Sequence, residues 1–176
     1  MAPKDAAHIQ RWRIAEVIFG IPLVACIMLQ LLVPLSPSVT QALSSILVVS
    51  GITLALAGIA LIVAARREFA AHRQPTDPGH ATSKIMNTGI FRISRNPMYV
   101  GALLVFSGIG FAVKSIWFLV MIVPVAVACS LILIRPEERY LSSKFGAGYL
   151  NYRASVNRWF GRKRVNRPGH PGAPFR

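Results

Sequence analysis

Glu137 and Glu138 stand side by side in a chain that has only six acidic residues against twenty Lys and Arg. They follow Pro136, just past the last long apolar run. Adjacent carboxylates at such a boundary repel each other and cost desolvation unless a cation lies close. A second polar cluster precedes the third apolar run and reads Gly89-Ile90-Phe91-Arg92-Ile93-Ser94-Arg95-Asn96-Pro97-Met98-Tyr99-Val100-Gly101. Arg95 can grip a carboxylate through two hydrogen bonds. Glu137 and Glu138 can take an ammonium or hold hydroxyls. The rings of Phe91 and Tyr99 can stack on a flat heterocycle or face a positive centre. Gly89 and Gly101 let backbone come close to a ligand. Such a set suits an amino acid joined to a nucleoside with a positive centre between them. S-Adenosylmethionine has those parts, and any zwitterionic cofactor would be consistent with the same residues.

The elements that must position these groups are set by hydropathy. The chain has 176 residues and is 53% hydrophobic, more than a small soluble domain carries. The apolar residues cluster in four runs, Ile14–Val33, Leu43–Ala65, Met98–Val113 and Ser115–Ile134. A spanning helix needs roughly 20 mostly apolar residues. The pattern predicts an all-α integral membrane protein with four transmembrane helices, at about 14–33, 43–65, 97–113 and 115–134. Nineteen of the twenty Lys and Arg lie before run one, between runs two and three, or after run four; only Lys114 lies on the other side. By the positive-inside rule both termini, the Arg66–Asn96 loop and the polar clusters are expected to be cytoplasmic. The formal net charge of +14 is then directed at anionic lipid headgroups, not nucleic acid.

Residues 1–13 read as a basic lead, 14–160 as one membrane domain, and 161–176 as a disordered basic tail rich in Pro, Gly and Arg. The long inner loop carries apolar anchors at Ile85, Met86, Ile90 and Phe91, so an ordered cytoplasmic cap is expected there. C-terminal interfacial helices are expected over 136–160, the first starting at Pro136 and stopping near Phe145-Gly146, the second amphipathic over Tyr149–Phe160. Cys26 and Cys129 fall inside apolar runs and read as core residues; the four His show no ligand spacing, so no metal is expected. Runs three and four form a hairpin around Lys114, which brings the two polar clusters together at one membrane face.

These two clusters resemble the isoprenylcysteine carboxyl methyltransferase and phospholipid methyltransferase superfamily of integral membrane enzymes. The resemblance lies in the Gly89–Gly101 stretch, the Glu137-Glu138 pair beyond a helical hairpin, then Leu141, Phe145-Gly146, Tyr149 and Tyr152. The Thr76-Asp77-Pro78 segment also looks like the family's approach to the motif. Roughly the second half of the chain, from Glu68 onward, is covered; the first two helices match only in being apolar. The resemblance implies S-adenosylmethionine binding. Ile85 and Met86 would offer backbone contacts to the adenine, and Gly89 and Phe91 would line the nucleoside. Arg95, Asn96, Pro97 and Tyr99 would shape the methionine side, with Gly101 beside them. Glu137 and Glu138 would hold polar groups of the cofactor. Many members have His where this chain has Asn96, and Asn cannot titrate near neutrality.

The expected activity is methyl transfer to a lipophilic, membrane-resident acceptor carrying a carboxylate, amine, thiol or hydroxyl. Glu138 and Arg135 are the candidate catalytic residues, and Arg135 and Arg153 are candidates to orient an anionic acceptor. His72 reads as a solvated loop residue. Two alternatives stand beside this reading. A membrane sterol-type reductase would use NADPH, whose phosphates sit poorly against adjacent glutamates. A non-enzymatic scaffold or carrier would keep ionisable groups near mid-membrane, where this chain has none apart from Glu16 near a helix end.

Overall fold

The computed structural model describes residues 6–73 and 84–163. The Thr76-Asp77-Pro78 segment and the basic tail from residue 164 lie outside them. The architecture is helical. In chain order come α1 (Ala6–Leu32), α2 (Gln41–Ala71), a 3-10 turn (Gly89–Arg92), α3 (Pro97–Ala112), α4 (Ile116–Ala128), α5 (Arg135–Phe145) and α6 (Ala147–Ser155). Among the described residues, three helical stretches are long and apolar enough to cross a bilayer, Ile14–Leu32, Gln41–Ala71 and Ile116–Phe145; α3 is apolar but shorter.

The chain between α4 and α5 departs from expectation. A break had been expected after Ile134, with a new helix at Pro136. Instead, a π-helical stretch over Cys129–Ile134 joins α4 to α5 in one helix. Pro136 lacks an N–H, and in a regular α-helix its ring would strike the carbonyl four residues back. The wider π turn just ahead of it absorbs that conflict. Glu137 and Glu138 therefore ride on the polar extension of a spanning helix. Helix α2 also outruns its apolar stretch. Its 31 residues reach about 46 Å, against a hydrocarbon layer of about 30 Å. The overhang carries Glu68, Phe69 and His72 towards the cap, where a loop had been expected from Arg66.

α2 and α3 pack through glycines. A Cβ on Gly58 would fall 2.5 Å from the Gly101 carbonyl oxygen, and one on Gly108 would fall 2.6 Å from the Gly51 oxygen. Small residues let the two backbones approach at these points. α3 turns into α4 through Lys114, which adopts a left-handed φ of 54° and donates to Ser44 Oγ at 3.0 Å.

Beyond the spans, a separate apolar cluster forms the cap. Met86, Phe91, Tyr149, Tyr152 and Val156 are buried together with Ala65 at the overhang of α2. The Phe69 and Phe91 rings meet edge to face, 5.2 Å apart. The amphipathic helix expected over 149–160 stops at Ser155. Residues Val156 and Arg162 then pair in an antiparallel bridge, closing a tight turn. Trp159 in that turn packs near Ile18 and Leu133, so its ring is used in tertiary packing and not in helix propagation.

Candidate active site

The end of α2, the segment from Lys84 through the 3-10 turn to Asn96, α5 and α6 enclose an open cleft of about 500 Å³, counting its mouth. Ile85, Met86 and Phe91 give it an apolar wall, with Phe69, Leu141, Tyr149 and Tyr152. Arg95, Asn96, Glu137 and Glu138 give it polar groups, and Lys84 stands at its edge. Seven residues predicted from sequence thus meet in one cavity: Ile85, Met86, Phe91, Arg95, Asn96, Glu137 and Glu138.

The two glutamates have different partners. Glu137 accepts a hydrogen bond from the Tyr99 hydroxyl at 3.3 Å. Glu138 lies between two arginines, with Arg95 Nη1 at 2.9 Å and Arg158 Nη2 at 2.6 Å. The Glu138 side chain is 7% exposed and that of Arg95 6%. Burying a carboxylate this deeply is costly unless counter-charges lie close. Arg135 and Arg139, the nearest basic residues in sequence, do not supply them; both are exposed.

Arg95 is incompletely satisfied. By distance its Nη1 is paired with Glu138, yet neither Nη1 nor Nε aligns its hydrogen on an acceptor. A guanidinium buried with unused donors is a costly arrangement. It fits an anion arriving from the cleft.

Tyr149 and Tyr152 complete the floor. Burial, then the nearby Glu138 charge, pushes the Tyr149 hydroxyl above its ordinary range, and Arg95 partly offsets this. Burial also raises Tyr152, whose hydroxyl donates to the Phe91 carbonyl at 2.7 Å. Both remain neutral phenols near neutral pH, so neither is a proton acceptor there.

Other predicted residues lie elsewhere. Gly101 abuts Gly58 and Ile62 of α2, so its close approach is to a helix and not a ligand. Gly89 has a positive φ of 50°, and any side chain there would strike the Glu68 carboxylate; Glu68 also binds the Thr88 hydroxyl at 2.5 Å. Gly89 thus shapes the cap without lining the cleft. Pro97 is buried at the start of α3. Tyr99 does not line the cleft, but its hydroxyl meets Glu137, which does. Arg135 and Arg153 are exposed and line no part of the cleft.

Sequence reasoning missed Arg158, as well as the lining residues Phe69 and Lys84. The Arg158 backbone carbonyl accepts from Asn96 Nδ2 at 3.1 Å and Ser94 Oγ at 3.4 Å. Asn96 therefore serves as a bracket between the motif and the C-terminal turn, a role that needs a donor and no titration. The only cue to Arg158 was an arginine beside Trp159 in the amphipathic stretch, and Arg153 offered the same cue.

The sequence matches the phospholipid methyltransferase family over residues 46–148, more than half of the chain. The chain belongs to that family. No curated protein matches it, and no solved structure does. The match starts inside α2, so one of the two helices that had looked merely apolar carries family signal as well. With its apolar helices, this phospholipid methyltransferase family member is an integral membrane protein. The family match ends before Tyr149, Tyr152 and Arg158.

Proposed function

We propose that this protein transfers a methyl group from S-adenosylmethionine to a lipophilic acceptor drawn from the bilayer, with the cleft between α5, α6 and the Gly89–Tyr99 segment as the cofactor site. The observation that carries the reading is Arg95: buried, lining the cleft, and holding two donors without an aligned acceptor, next to two carboxylates. That combination accepts a zwitterion. Arg95 would take the amino-acid carboxylate, and Glu137, oriented by Tyr99, would draw the ammonium. The Ile85–Met86–Phe91 wall would cover the adenine. When bound, the sulfonium supplies an already activated methyl group, so the protein's task is positioning and charge.

The neutral phenols of Tyr149 and Tyr152 leave no base on that side of the cleft. This favours an acceptor that needs no proton removed, such as a carboxylate; an amine protonated at neutral pH would first have to lose its proton elsewhere. Four crossings are proposed, with α3 as the shorter fourth span. The placement of basic residues supports a cytoplasmic site and cytoplasmic termini. The basic flanks would meet anionic headgroups.

The test is equilibrium binding of radiolabelled S-adenosylmethionine to the purified protein in lipid nanodiscs, followed by turnover with a native lipid extract. Saturable binding is expected, weakened at least about 10-fold in Arg95→Ala, with a labelled lipid product. Unchanged affinity in Arg95→Ala, or saturable NADPH binding in its place, would overturn the proposal.

A further inference from the structure

The firmest contact made by Glu138 comes from beyond the family match. Arg158 donates to it from two nitrogens, Nε at 3.2 Å and Nη2 at 2.6 Å. Arg95 approaches the same carboxylate with Nη1 at 2.9 Å, and neither that nitrogen nor Nε makes an aligned hydrogen bond. Two nitrogens on one carboxylate make a strong and geometrically defined pair. The arginines also differ in place. Arg95 lines the cleft. Arg158 approaches Glu138 from the C-terminal turn, does not line the cleft, and donates its Nη1 to Ser130 Oγ at 3.4 Å on the π-helical stretch.

We infer that Arg158 is a positioning residue. It holds Glu138 and balances its charge from behind, so that Arg95 can leave that carboxylate for an anionic group of the cofactor. The inference rests on reading the cleft as the S-adenosylmethionine site. Without Arg158, a ligand carboxylate that captured Arg95 would strand a buried anion at Glu138. With Arg158 in place, the exchange gives up the 2.9 Å ion pair of Arg95 but leaves Glu138 with a bidentate counter-charge. Arg95 is thereby kept at the cleft and available to a ligand.

The backbone around Arg158 is built to hold this position. Asn96 and Ser94 grip its carbonyl from the motif side. Arg95 N–H donates to the Asn157 carbonyl at 3.2 Å, and Gly161 N–H donates to the Ile93 carbonyl at 2.8 Å. The turn is thus laced to the same few residues that carry Arg95. Both arginines are placed by one local frame, and Glu138 is brought to them by α5.

A thermodynamic cycle in nanodiscs tests this, with radiolabelled S-adenosylmethionine as probe and the wild type, Arg158→Gln, Glu138→Gln, the double variant and Arg158→Lys compared. Arg158→Gln is expected to weaken binding about 10- to 100-fold, with Arg158→Lys between it and the wild type. In the Glu138→Gln background the Arg158→Gln change should cost less than about 2-fold, because the two act as a unit. A loss of the same size in both backgrounds would make Arg158 a mere strap and overturn the inference while leaving the cofactor site standing. Wild type without saturable binding would overturn the cofactor reading and this inference with it. If Arg158→Gln does not fold, Arg158→Lys in the two backgrounds carries the same comparison.

Discussion

Tyr152 donates its hydroxyl to the Phe91 carbonyl at 2.7 Å, across 61 residues of chain, and both residues are buried. The bond ties α6 to the 3-10 turn and fixes one edge of the cleft. Removing the hydroxyl leaves a buried carbonyl without its partner. Tyr152→Phe is expected to lower stability by about 1–3 kcal/mol, read as a lower melting temperature in detergent. Cofactor affinity should fall less than in Arg95→Ala, because the ring still fills the cap. A melting temperature equal to wild type would mean that the cap is held by packing alone.

Asn96 occupies the motif position at which a base would be sought, but its amide is committed to the Arg158 carbonyl. Asn96→Ala should therefore cost about 1–2 kcal/mol of stability and lower turnover. The limbs of the pH–rate profile should stay where they are. A limb that vanishes in Asn96→Ala would show a protonic role that this geometry does not provide.

Much of this was legible in the chain, for identifiable reasons. Spans follow from apolar run length, and the meeting of Arg95 with Glu138 followed from a hairpin that returns the chain to one membrane face. What sequence could not reveal depended on helix phase or on a turn. Gly101 could be read as room for a ligand, but the structure sets it, like Gly108 seven residues on, against α2. Pro136 read as a helix start because its usual cost in mid-helix is high; the π turn before it removes that cost. Arg158 was hidden because its place depends on the Val156–Arg162 bridge, which pairs residues with no pattern of their own.

The tyrosines give an alkaline signature. Tyr149 and Tyr152 are both raised, first by burial. Arg158 is also raised, chiefly by its hydrogen bond to Glu138. For a group raised by folding, the stabilisation is complete below its unfolded pKa and is lost as pH rises through its folded pKa. These three groups therefore add no slope to stability near neutrality, and the tyrosines withdraw theirs only above about pH 10. Tyrosinate absorbance should show a late phase that coincides with unfolding and is absent from a Tyr149→Phe, Tyr152→Phe variant. If that variant kept the late phase, the assignment to these two residues would be wrong.

The α2–α3 seam should be sensitive to single methyl groups. A Cβ at Gly58 or Gly108 would meet backbone atoms of the facing helix at 2.5 and 2.6 Å, and backbone cannot swing aside as a side chain can. Gly58→Ala and Gly108→Ala are each expected to cost about 1–3 kcal/mol. Gly20 in α1 has nothing within 4 Å of its added Cβ, so Gly20→Ala should be neutral or stabilising by up to about 1 kcal/mol. The seam also reaches the chemistry. α3 begins at Pro97 and presents Tyr99 to Glu137, so prising α3 from α2 shifts that contact. Cofactor affinity should therefore fall in Gly58→Ala and stay unchanged in Gly20→Ala, measured by the same binding assay. Equal melting temperatures for the two variants would mean that the helices are not in close backbone contact, and the route from the seam to Tyr99 would fall with it.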